Sequence, residues 1–79
     1  MKLYVELFGA LSDKLPDGEG WLTFPEKVTP AGIVEHLKLR DGEQFVVLVN
    51  GQPVAQEVRD SLTLSAEDKV VVFPPMEGG

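Results

Sequence analysis

The last seven residues, Phe73-Pro74-Pro75-Met76-Glu77-Gly78-Gly79, hold the residue types and spacing most able to do chemistry. A terminal glycine carboxylate has no side chain crowding it. Gly78 and Gly79 lack a Cβ, so their backbone fits a channel too narrow for any other residue. Pro74 and Pro75 fix φ and hold the preceding residue extended, which stiffens the root of the tail and makes it project. These features describe a chain end that is handed to another protein's active site. At an average glycine usage of roughly 7%, two glycines close a chain by chance about once in two hundred. Coincidence is the weaker explanation.

What positions such a tail must be small. The 79 residues allow one domain, expected over residues 1–74, with residues 75–79 as a flexible tail. A domain of this size buries only about 60–65% of its unfolded surface and leaves no room for a deep catalytic cavity beside its core. Cysteine is absent, so the side chains offer no thiol nucleophile, disulfide or Cys-based metal site. The net charge is −6 with acids spread along the chain, which argues against nucleic acid and is compatible with a basic protein partner. No apolar run reaches membrane-spanning length. The alternating start, with Glu6 in it, is not the apolar stretch of a signal peptide. The expected location is cytoplasmic.

The chain reads as alternating elements. Residues 2–8 place Leu3, Val5 and Leu7 on one face of a strand and Tyr4, Glu6 and Phe8 on the other. Residues 9–15 suit one or two helical turns, and Pro16–Gly20 is turn chemistry. Trp21–Pro25 reads as a second strand at a sheet edge, because Pro25 cannot donate to a ladder. Thr29-Pro30 starts a helix with the stripe Ile33, Val34 and Leu37, with Glu35, His36 and Lys38 toward water and Gly42 as a stop. Phe45–Val49 is a continuous apolar run, expected to be buried on much of both faces. Asn50-Gly51 is a turn, followed by a short strand around Val54 to Val58. Leu62 and Leu64 read as anchors, Ala66–Lys69 as a turn and Val70–Phe73 as the last strand. A helix between strands crosses one sheet face and leaves the other open. Tyr4, Phe8, Val71 and Phe73, with Trp21 beside them, would then form an apolar patch suited to a protein contact.

Other polar residues have plain explanations. His36 is the only histidine, and no metal site is expected. Glu67 and Asp68 are solvated turn acids, and Met76 is a flexible contact residue. Lys69 could meet acidic groups on a partner. The glycine-containing loops do not make a phosphate-binding fingerprint, and no nucleophile–base–orienter set is evident.

Essentially the whole chain resembles the ubiquitin-like β-grasp sulfur carriers, most closely the MoaD type, the small subunit of molybdopterin synthase, and the related ThiS carriers. The resemblance rests on Val70-Val71-Val72 leading into Phe73-Pro74-Pro75, two residues, then Gly78-Gly79. Ala66-Glu67-Asp68-Lys69-Val70 resembles the turn before the family's last strand, and Val5-Glu6-Leu7-Phe8-Gly9-Ala10-Leu11 its first strand and short helix. The thiamin-pathway carriers also end in Gly-Gly but usually lack the Phe-Pro-Pro step. Two departures stand out: Met76 in place of a usual Val, and Glu77 where the family usually has a small residue. An unpaired Glu77 must stay solvated or meet a cation.

The fold this implies is α+β: a mixed four- to five-stranded sheet with one main helix packed on one face. The chemistry it implies begins with an E1-like adenylyltransferase (MoeB/ThiF type) that uses ATP to adenylate Gly79. A sulfur nucleophile then displaces AMP and leaves a thiocarboxylate, which donates sulfur within a synthase large subunit (MoaE type). This chain would bind no cofactor and would not be catalytic alone. The alternatives are a thiamin-type or other sulfur carrier, a protein modifier joined to lysine through Gly79, and a β-grasp binding module without terminal chemistry.

Overall fold

The computed structural model describes residues 1–25, 27–38 and 45–74. Five strands form one mixed sheet. They are β1 (Lys2–Leu7), β2 (Glu19–Thr23), β3 (Val46–Val49), β4 (Gln52–Val54) and β5 (Lys69–Phe73), in the spatial order β2-β1-β5-β3-β4. β1 and β5 run parallel at the centre, and the other neighbouring pairs are antiparallel. One helix, α1 (Pro30–His36), crosses between β2 and β3.

The alternation of β1 decides which face is covered. Leu3, Val5 and Leu7 are buried, and Val70 and Val72 of β5 and Val47 of β3 join them. Ile33 and Val34 of α1 pack into the same cluster with Phe24, Val28, Phe45 and Leu64. The helix starts as its sequence demands: Thr29 Oγ1 accepts from the Gly32 amide at 3.1 Å, with Pro30 in the first turn. Its end comes sooner than a stop at Gly42 would give. Lys38 takes a left-handed φ of 58°, and its amide bonds the Glu35 carbonyl at 3.0 Å. Gly42 lies outside the described residues.

Four other expectations need correction. The second strand begins at Glu19 and ends at Thr23, because Gly20 pairs with Val5. The short strand after the turn is Gln52–Val54, not 54–58, and Gln56–Val58 is a 3₁₀ helix. Pro53 is tolerated there because β4 is an edge. Val46 is exposed, since β3 has the helix on one face only. Leu62 is exposed as well, and Leu64 alone anchors that stretch.

The Asn50-Gly51 turn does more than reverse the chain. Both residues have positive φ, 51° and 84°, the pair that matches the twist of a two-residue hairpin. Asn50 Nδ2 donates to Asp68 Oδ1 and Asn50 Oδ1 accepts from the Lys69 amide, each at 2.9 Å. The side chain therefore pins the start of β5. Deeper in, the Arg59 guanidinium donates to the Phe45 carbonyl, and the Arg59 carbonyl accepts from Ala31 at 3.0 Å. Asn50→Ala, which loses both side-chain bonds and the left-handed tolerance, is expected to cost about 1–3 kcal/mol. Asn50→Gly, which keeps the backbone angle, should cost less. Urea denaturation of the two variants checks the order, and equal losses would contradict this account of the turn.

Candidate functional site

β5 delivers the tail. It is the middle strand of the five and is hydrogen-bonded on both sides, to β1 and β3, so the chain leaves from a strand held by two neighbours rather than from an edge. Pro74 follows Phe73 directly and is half-buried. Pro75, Met76, Glu77, Gly78 and Gly79 lie outside the described residues.

The open face of the sheet surrounds this exit. The four patch residues, Tyr4, Phe8, Val71 and Phe73, share it: the first two belong to one side of β1 and its extension, the last two to the same side of β5. At the tail end, the rings of Phe8 and Phe73 stack with centroids 4.7 Å apart and 12° between planes. Val46, paired with Phe73, and Leu48, paired with Val71, extend this apolar surface. Neither belongs to the patch read from sequence, because an unbroken apolar run shows no period from which to assign faces.

At the opposite end, Tyr4 and Trp21 are register partners and meet edge to face at 5.2 Å. Trp21 is 54% exposed, a large apolar ring to leave in water. Between the aromatic pairs sits charge. Glu6 and Glu19 are directly opposite across β1 and β2, an arrangement of like charges that opposes pairing. Lys69 relieves it: its Nζ lies 3.3 Å from Glu6 Oε1. The lysine therefore has an acid within its own chain, in a half-exposed pair worth about 0.2–1 kcal/mol.

The phenol of Tyr4 is held above the usual tyrosine range. Packing of the ring is the largest cause, followed by its hydrogen bond to Glu19 and the charges of Glu19 and Glu6. His36 is exposed, as expected, and its ring meets Phe24 edge to face at 5.0 Å. Among the described residues no group of three or more His, Cys, Asp or Glu side chains could hold a metal ion, and no helix is long and apolar enough to cross a membrane. The shallow depression lined by Met1, Lys2, Trp21, Ala66 and Glu67 brings no nucleophile and base together. What the described residues supply is a shaped face and a directed exit.

The sequence profile of the ThiS family matches residues 5–79, which takes in the second half of β1, all of β5 and the tail. The chain belongs to the ThiS family. No curated protein matches it by sequence. Solved structures do match this ThiS-family chain, at low identity. Small archaeal modifier protein 1 of H. volcanii is 20% identical, with 95% of this chain and 98% of that one covered and a TM-score of 0.72. The thiamine biosynthesis protein ThiS of Geobacter metallireducens is 23% identical, with both chains fully covered and a TM-score of 0.71. A chain in the complex of subunits 1 and 2 of the molybdopterin-converting factor of Helicobacter pylori is 15% identical, again with both chains fully covered, at a TM-score of 0.63. At these identities the likeness is one of fold: the ubiquitin-like β-grasp, with five strands and one main helix.

Tyr4 is the only tyrosine, so an ultraviolet titration reads it alone. Its folded midpoint should lie above that of the urea-denatured chain, and Glu19→Gln should lower it. A raised folded value favours the neutral phenol, so the stability it contributes is complete below the unfolded value and is lost as pH rises through the folded one. Equal midpoints in the folded and denatured chains would contradict the arrangement of Tyr4, Glu6 and Glu19.

Proposed function

We propose that this chain is a sulfur carrier that works through the carboxylate of Gly79. The observation that carries the reading is the match to the ThiS family running to Gly79 itself, on a tail that leaves from the sheet's central strand. A carboxylate is a poor electrophile at neutral pH. An E1-like adenylyltransferase would join Gly79 to AMP and release pyrophosphate from ATP. A hydrosulfide equivalent then attacks the acyl carbon, AMP leaves with the bonding pair, and Gly79 ends in a thiocarboxylate. The absence of cysteine suits this chemistry, because the sulfur rides on the terminal carbonyl.

Within that role we favour the small subunit of a molybdopterin synthase. The Phe73-Pro74-Pro75 step supports it, and so does the fold shared with a chain of the molybdopterin-converting factor complex. Domain and tail then divide the work. Residues 1–74 dock through Tyr4, Phe8, Val71 and Phe73, while residues 75–79 reach the reaction in a larger partner that supplies positioning and proton transfer. A protein-modifier role uses the same activated carboxylate, and the fold shared with small archaeal modifier protein 1 favours it as the second reading.

Incubation with ATP, the cell's own adenylyltransferase and a sulfur donor, followed by intact mass, tests the proposal. The expected result is a mass gain equal to the exchange of one oxygen for sulfur, lost in Gly79→Ala without loss of fold. Phe73→Ala should weaken partner binding by more than about 1 kcal/mol and stability by less. A chain whose mass never changes, or a Gly79→Ala variant that loads fully, contradicts the reading.

A further inference from the structure

The seat of Pro74 is a residue from the other end of the chain. A Cβ placed on Gly9 would lie 2.9 Å from Pro74 Cγ and 3.4 Å from its Cδ, and Gly9 has a φ of +63°. No real Cβ is accommodated at the first distance without movement of the ring. Gly9 is itself firmly held. The Phe8 amide donates to the Val72 carbonyl at 3.1 Å, so β1 and β5 stay together beyond their last paired residues. The Phe8 and Phe73 rings stack beside it. On the other side Ser12 Oγ donates to the Gly9 carbonyl at 2.9 Å, at the start of the 3₁₀ helix Gly9–Lys14.

We propose that Gly9 is a positioning residue: its bare Cα seats the Pro74 ring and so sets the direction in which the tail leaves the sheet. The inference rests on the carrier reading, in which Gly79 is the group that reacts. Gly79 lies five residues beyond Pro74, a stretch of chain that can reach at most about 18 Å. The direction set at Pro74 decides where that reach is centred, and misplacement of about 1 Å can cost on the order of 100-fold in rate. Gly9 contributes no side chain to the docking face, so the effect belongs in kcat rather than in KM.

The test uses adenylation of the full chain by its own adenylyltransferase, with the chain as varied substrate, for wild type, Gly9→Ala, Pro74→Ala and the double variant. Pro74→Ala removes Cγ and Cδ, the two atoms that a Cβ on Gly9 would strike. Gly9→Ala alone is expected to lower kcat by about 10- to 100-fold with KM unchanged. In the Pro74→Ala background the same change should do little, since the ring is gone. Equal losses in both backgrounds, an unchanged kcat, or a rise in KM alone would overturn the proposal. If Gly9→Ala does not fold, a folded double variant still supports it, and an unfolded one overturns it by placing the role of Gly9 in its backbone angle.

A readout independent of loading separates this inference from the carrier reading. The chain has no cysteine, so nitroxides on Ser61→Cys and Met76→Cys report a single distance distribution. Gly9→Ala should shift or broaden it with Pro74 present and leave it unaltered in Pro74→Ala. A distribution indifferent to Gly9 in both backgrounds overturns the inference even where wild type loads. A wild type that never loads removes the carrier reading, and the distances still judge the role of Gly9.

Discussion

The parallel pairing of the first and last strands at the centre of the sheet is the constraint on which the rest depends. Tyr4 to Leu7 lie beside Lys69 to Val72, and these strands carry Leu3, Val5, Val70 and Val72, each fully buried. Parallel neighbours cannot be joined by a tight turn, so the helix, β3 and β4 must all fit into the excursion between them. The Asn50 bonds and the Lys69–Glu6 pair hold the start of β5. The Phe8 amide and the stacked rings hold its end. A tail attached to an edge strand would start from a fraying root, whereas Phe73 belongs to a strand paired on both sides.

The same pairing divides the sheet into two unlike faces. One is closed by α1, with Leu3, Val5, Leu7, Val47, Val70 and Val72 buried beneath it. The other keeps two aromatic pairs, a belt of Glu6, Glu19 and Lys69, and the aliphatic side chains of Val71, Leu48 and Val46. Apolar surface left in water lowers solubility and contributes nothing to folding, so its retention beside the tail exit is best explained by a partner that covers it. The proposed division of labour follows. The face supplies affinity and orientation, and the tail supplies a reactive acyl group without catalytic residues of its own.

Much of this was legible in the sequence where chemistry and period coincide. The alternation of Leu3, Val5 and Leu7 gave both strand and buried face, and Thr29-Pro30 located the helix start. Asn50-Gly51 located the hairpin, although its hydrogen bonds to residues 68 and 69 depend on the tertiary fold. Val46 was not legible, because Phe45–Val49 is uniformly apolar and only the one-sided helix decides which residues face out. The bounds of β4 differ from the expected 54–58 because Pro53 counts against a strand unless the strand is known to be an edge. Arg59 gave no signal, since a charge buried against a backbone carbonyl looks in sequence like any surface arginine. Gly9 and Pro74 read as a loop glycine and a tail proline, and only the parallel pairing of distant strands brings them together. The tail itself, residues 75–79, was legible as chemistry alone.

The central claim is that the terminal acyl carbon carries sulfur in the cell. The most direct measurement is top-down mass spectrometry of the chain isolated from its own organism during growth, with fragments assigned to the last residues. The account predicts a population heavier by one oxygen-to-sulfur exchange, located on Gly79. A terminus that remains an ordinary carboxylate, or that is found joined to lysines of other proteins and never to sulfur, would contradict it.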